Sequence, residues 1–322
     1  MRRLIGVFVS AALLALLYAY VDVGALWSAV RAADLSWLAI GILMVVPLTA
    51  MTAARFTLLV RDGQVGFGEA NRLILAASTL NLFLPSKLGD LAKGHVLARR
   101  HGMQPGLSYA IVVLEKALDM LSLLVWGTLG LIVVGQVQPA MLAFLVPVGG
   151  LALTLALLIL PLPLLPNLLA RFGTLMPQRI AGALTGFSAG WDEALSWFWR
   201  FPARAAGVIL LSLVIWGVHL FQFWLFTRAV HGDLPIVENA AFATLSILAG
   251  LLPFTFAGVG TRDAAIVFFY APYLSAGAAA FLGLLATLRY VLPALAGVPF
   301  VADFAGLAGT RAAVRARDGA ES

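Results

Sequence analysis

The sequence contains no cysteine, which excludes disulfides, thiolate metal sites and thiol catalysis and leaves redox chemistry silent about compartment. Charge is scarce as well. Only 11% of the 322 residues are Asp, Glu, Lys or Arg, against about 25% in an ordinary soluble domain. The single Gly-x-Ser-x-Gly match, Gly186-Phe187-Ser188-Ala189-Gly190, lies in an amphipathic stretch with no strand before it to form a nucleophile elbow, and no glycine-rich phosphate loop ending in Lys-Ser/Thr occurs, so hydrolase, kinase and ATPase chemistry find no support. His95, His101, His219 and His231 fall in different segments without metal-ligand spacing. Neither a catalytic residue, a metal nor a cofactor is expected.

What is present is apolar: 62% of the chain is hydrophobic. That composition predicts an all-α, polytopic membrane protein. The formal charge of +6 would suggest nucleic acid in a soluble protein, but most Lys and Arg occupy short segments between apolar runs. There they face lipid headgroups and set topology, and no nucleic-acid partner is expected. Residues 1–310 read as one integral membrane domain, followed by a basic cytoplasmic tail, 311–322.

Apolar runs long enough to cross a bilayer lie at about 4–20, 37–60, 107–134, 139–160, 205–227 and 273–304. The first follows Met1-Arg-Arg without a clear cleavage site and reads as a retained span. Pro47 should kink the second, where Arg55 must snorkel or find a partner. Between 179 and 200 the chain turns amphipathic, with Trp191, Trp197 and Trp199 among charges, which suits a helix at the headgroups.

Two further runs are too short. Residues 71–84 stop at Pro85, and the apolar pattern resumes after Gly89; residues 239–252 stop at Pro253 and resume after Gly258 and Gly260. Half-length arms about a Pro/Gly break predict re-entrant hairpins, at about 71–100 and 239–271, whose irregular backbone must be sheltered by protein or a wet cavity. Asn71 and Asn239 each stand fourteen residues before the Pro of their break. Three crossings separate the two units, so the hairpins should enter from opposite faces, as in inverted-repeat transporters. With both termini inside, Arg61, Arg72, Arg99, Arg100, Arg171, Arg179, Arg200 and Arg204 all fall on the cytoplasmic side.

Charges at membrane depth cost roughly 2.5–3.5 kcal/mol each on insertion scales and usually mark a site. The first hairpin carries Asn81, Pro85, Lys87, Gly89, Asp90 and Lys93. In the next span Glu115 and Asp119 share a helix face with Lys116 beside them. Either these ions satisfy one another and pin the hairpin, or the basic members grip a lipid phosphate while the acidic ones balance charge or relay protons. The second break holds Gly258, Gly260, Arg262 and Asp263. Here free amides at a helix N-terminus beside a guanidinium would form an anion site, unless Arg262 simply pairs with Asp263.

These three groups carry a resemblance. Asn81, Leu84-Pro85, Gly89-Asp90 and Lys93, then Glu115-Lys116-Ala-Leu-Asp119, then Phe256-Ala257-Gly258-Val-Gly260-Thr-Arg-Asp263 are similar, in order, to the motifs of the lysylphosphatidylglycerol synthase transmembrane-region, or flippase-like, family of bacterial inner-membrane proteins, hopanoid-associated branch included. The family pattern has Glu where Asp90 and Asp263 stand, Arg where Lys93 and Lys116 stand, and Pro-Gly at 256–257. Lys keeps the charge but loses the bidentate fork. The resemblance implies a lipid translocator of the inner membrane, without the soluble aminoacyl transferase fused to some members. A phospholipid, hopanoid or polyprenyl-linked lipid is the implied ligand. The alternative is a non-transporting accessory protein beside lipid-biosynthesis enzymes.

Overall fold

The computed structural model describes residues 23–60, 64–173, 175–251 and 260–318. Among these there is no strand, and the chain is an all-helical polytopic membrane protein. Helices α1 (Val23–Ala32), α2 (Leu35–Leu43) and α3 (Val45–Leu59) come first. Then follow α4 (Phe67–Phe83), a 3-10 turn (Pro85–Asp90), α5 (Leu91–Arg100) and α6 (Pro105–Val137). A second 3-10 turn (Pro139–Phe144) leads into α7 (Leu145–Ile159), α8 (Leu164–Gly173), α9 (Gln178–Trp199) and α10 (Pro202–Ala229). The chain ends with α11 (Ile236–Gly250), α12 (Thr261–Tyr270) and α13 (Ala276–Asp318).

Five helical runs are long and apolar enough to cross a bilayer: Leu35–Leu59, Pro105–Val137, Pro139–Ile159, Pro202–Ala229 and Ala276–Ala302. They coincide with five of the six expected spans; the sixth, 4–20, lies outside the described residues. Their outer faces carry Val46, Val146, Leu153 and Leu210, each more than 60% exposed, a surface suited to hydrocarbon. The helix is interrupted at Met44, between α2 and α3, close to where Pro47 is expected to kink it. Proline at 47 has no N–H to offer the carbonyl of Leu43, so the ladder breaks there.

Each broken segment folds back on itself. In the first, Glu69 at the start of α4 accepts a hydrogen bond from Arg100 Nη1 at 3.2 Å and lies 3.2 Å from His101 Nε2 at the end of α5. In the second, the Tyr270 hydroxyl at the end of α12 donates to Asn239 Oδ1 at 2.9 Å, and that of Tyr273 donates to Glu238. Both therefore begin and end at one place, one closed by ions and the other by tyrosines. Asn239 is wholly buried and also donates to the Leu220 carbonyl at 3.0 Å, whereas Asn71 is only half-buried.

Helix α6 shows that the hairpins are inverted. With 33 residues it is about 50 Å long and serves two cores. Its first half packs with Phe56, Leu73, Leu97 and Trp191, its second with Phe223, Phe242, Ile266 and Tyr270. Gly94 of α5 sits against Tyr109, near the start of α6, and Ala241 of α11 sits against Gly130, near its end. Those contacts are 21 residues apart, about 31 Å along the helix. The hairpins thus enter from opposite ends of one rod and run toward its middle.

Helix α9 occupies the segment expected at the headgroups, but Trp191 turns inward, 2% exposed, rather than anchoring at an interface. A Cβ on Gly190 would stand 2.2 Å from the Gly106 carbonyl carbon, so two glycines let α9 and α6 touch backbone to backbone. Small residues achieve here what bulk apolar burial cannot drive in lipid.

Candidate functional site

The first break is held by close packing. A Cβ on Gly89 would lie 2.6 Å from the Asn81 amide nitrogen and 2.7 Å from the Ala77 carbonyl oxygen, so only glycine lets the 3-10 turn press onto α4. That contact delivers Asp90 and Lys93 into the bundle, 8% and 1% exposed.

There they complete a closed ring of six alternating charges. Arg55 Nη1 lies 2.6 Å from Asp119 Oδ1, and its Nη2 lies 3.6 Å from Glu115 Oε1. Lys93 bonds to Glu115 on one side and stands 3.1 Å from Asp90 on the other. Lys116 is 3.5 Å from Asp90 and 3.1 Å from Asp119, which closes the circuit. Every member meets two of opposite sign. The ring's net charge is zero, which is how three cations and three carboxylates tolerate a place where each alone would cost several kcal/mol. Asn81 Nδ2 donates to Asp90 at 3.3 Å, Trp216 Nε1 to Asp119 at 3.2 Å, and Arg55 Nη1 to Ser212 at 3.2 Å.

The second break is assembled differently. Gly260 adopts φ 99°, a conformation that favours glycine, and its N–H donates to Asp263 Oδ2 at 2.9 Å. Arg262 Nη2 donates to the other Asp263 oxygen at 3.1 Å and to Thr287 Oγ1 at 2.5 Å. Of the two arrangements open to Arg262, the described residues show the pairing: the chain's own Asp263 carboxylate caps α12 and accepts from Arg262. Gly258, and the side chains of Pro85 and Lys87, lie outside the described residues.

A cavity of about 330 Å³ opens between the two breaks. Asn81, Leu84 and Asp90 line it from the first hairpin, and Ile247, Gly250, Leu251 and Arg262 from the second. Lys116 and Asp119 present the ring to it, and Trp216, His219, Gln222 and Arg289 complete its polar wall. Its volume is at the small end of ligand sites, about 300–1,000 Å³. Lys93, Glu115, Gly89, Gly260 and Asp263 are not part of the lining. Lys93 and Glu115 are sealed behind it, so neither touches a cavity occupant, and both serve the ring.

Sequence marks Arg55 only as a residue that must snorkel or find a partner, and gives no role to Arg289, a charge inside the last apolar run. The one signal in sequence is an arginine within an apolar run; partners 64 residues away, as Asp119 is from Arg55, leave no trace there. Among the described residues no three His, Asp or Glu are grouped to hold a metal.

No curated protein matches the chain. The family model described as lysylphosphatidylglycerol synthase TM region matches residues 3–297, a stretch that includes both hairpins, the ring and the cavity. The chain belongs to the lysylphosphatidylglycerol synthase transmembrane-region family, of which it carries the membrane part.

Proposed function

We propose that the chain is a non-enzymatic lipid translocator of the bacterial inner membrane, with both termini cytoplasmic, passing a polar headgroup through the chamber between its hairpins while the acyl chains stay in lipid. The observation that carries this reading is the cavity itself: a chamber of apolar walls with one polar, charged side, reached by two hairpins from opposite ends of α6, inside a bundle whose outer faces are apolar. Such a chamber gives a headgroup a place at mid-membrane where its charges meet partners instead of hydrocarbon. Lys116, Arg262, Asp90 and Asp119 are the ions that would meet it. Glu115 and Lys93 hold the ring in shape from behind.

A lipid with a nitrobenzoxadiazole-labelled headgroup in proteoliposomes, with dithionite added outside, tests the proposal. The wild-type chain exposes label from the inner leaflet, and a Lys116→Ala/Arg262→Ala double variant slows this at least tenfold. Equal rates in the two would show the assignment wrong. One observation favours the second reading, an accessory protein in assembly of hopanoid or polyprenyl-linked lipids: the ring is balanced internally, as a structural staple would be. That reading predicts no scrambling by the wild type and co-purification with lipid-synthesis enzymes.

A further inference from the structure

Among the described residues, the charges around the cavity do not sum to zero. The six-membered ring is neutral and Arg262 is matched by Asp263, which leaves Arg289. It sits at the middle of the 27-residue apolar run Ala276–Ala302, is 5% exposed, and lines the cavity. Its guanidinium donates at 3.4 Å to the His219 carbonyl and at 3.0 Å to the Tyr290 hydroxyl, and lies 4.8 Å from the Tyr290 ring centre. These are neutral groups; no carboxylate among the described residues pairs with it.

A guanidinium has five donors, and neighbours use two of these. A desolvated cation with donors to spare, aimed into a cavity, is short of one negative charge. We infer that Arg289 anchors the phosphate of the cavity's ligand, a singly charged phosphodiester or a free phosphate ion. The planar fork suits a tetrahedral oxyanion bidentately, and Arg289 stands outside the three sequence motifs. This inference rests on the reading of the cavity as a ligand site and adds the charge class and the residue that selects it.

The full chain in detergent is titrated with dioctanoyl phosphatidylglycerol, with inorganic phosphate, and with dioctanoylglycerol, which has the same tails and no phosphate. Binding is read from tryptophan fluorescence, since Trp216 lines the cavity, and from the unfolding temperature. Dioctanoyl phosphatidylglycerol binds the wild type, at least tenfold more weakly to Arg289→Gln, and with partial recovery to Arg289→Lys. Inorganic phosphate binding alone at comparable strength assigns the site to free phosphate; lipid binding without it assigns the site to a headgroup. Without ligand, Arg289→Gln unfolds at or above the wild-type temperature, because a cation lacking a counter-ion has been removed. Equal lipid affinity in wild type and Arg289→Gln overturns the inference, and so does equal affinity for dioctanoylglycerol. Should Arg289→Gln not fold, wild-type lipid affinity that is indifferent to salt overturns it as well. A chain that binds through Arg289 yet scrambles nothing sinks the transport reading alone; scrambling untouched by Arg289→Gln sinks this one alone.

Discussion

Glu115→Gln isolates what the charged ring contributes to stability. The substitution keeps shape and removes one negative charge from a site where Glu115 and Lys93 side chains are both 0% exposed. The ring then carries a net positive charge, and Arg55 and Lys93 each lose one of two partners. Breaking a buried pair from one side costs about 3–5 kcal/mol. Arg55 retains Asp119 at 2.6 Å and Lys93 retains Asp90 at 3.1 Å, so the low end, about 3 kcal/mol, is expected. Lys93→Met in the same background restores neutrality. The double variant should then lose less than the two single losses together, with a coupling of at least about 1.5 kcal/mol. Sodium dodecyl sulfate titration in mixed micelles, followed by tryptophan fluorescence, measures all four proteins. If Glu115→Gln stays within about 0.5 kcal/mol of wild type, or the two losses simply add, the ring is not a coupled unit and the reasoning fails.

Gly89→Ala puts a methyl against backbone atoms of Ala77 and Asn81 that cannot swing aside, and should destabilise by about 1–3 kcal/mol in the same titration; an unchanged midpoint would mean that the turn does not press on α4. Outside the spans, partial burial and then the bond to Glu238 push the Tyr273 phenol up to about 12. The folded chain thus favours the neutral phenol, so this contribution is whole below pH 10 and is lost as pH climbs through about 12. Near-ultraviolet titration against Tyr273→Phe should show one late tyrosine, moved earlier by Glu238→Gln.

The hairpins were legible because lipid leaves a chain few options: an apolar run must be long enough to cross, and Pro85 or Pro253 placed too early forces a return. Opposite insertion followed from counting crossings. Glu115, Lys116 and Asp119 announced themselves by cost, because charge in an apolar run has no bland place to go. The roles were less legible. Lys93 reads either as a ligand-gripping cation or as part of a self-satisfied ion cluster, and it lies sealed in the ring. Arg262 reads either as an anion receptor or as a partner of Asp263, and it donates to Asp263. Trp191 reads as an interfacial anchor and lies in the core, because Gly190 and Gly106 bring α9 within backbone contact of α6.

Sequence alone determined that this is a helical membrane protein with two broken arms and buried ions, since solvent and periodicity act residue by residue along the chain. Which ions close into a neutral ring, and which guanidinium is left over to face a cavity, was decided only by the tertiary structure. Charge balance is a sum over neighbours in space, and Arg55 meets Asp119, as Arg262 meets Thr287, across separations that no local pattern records.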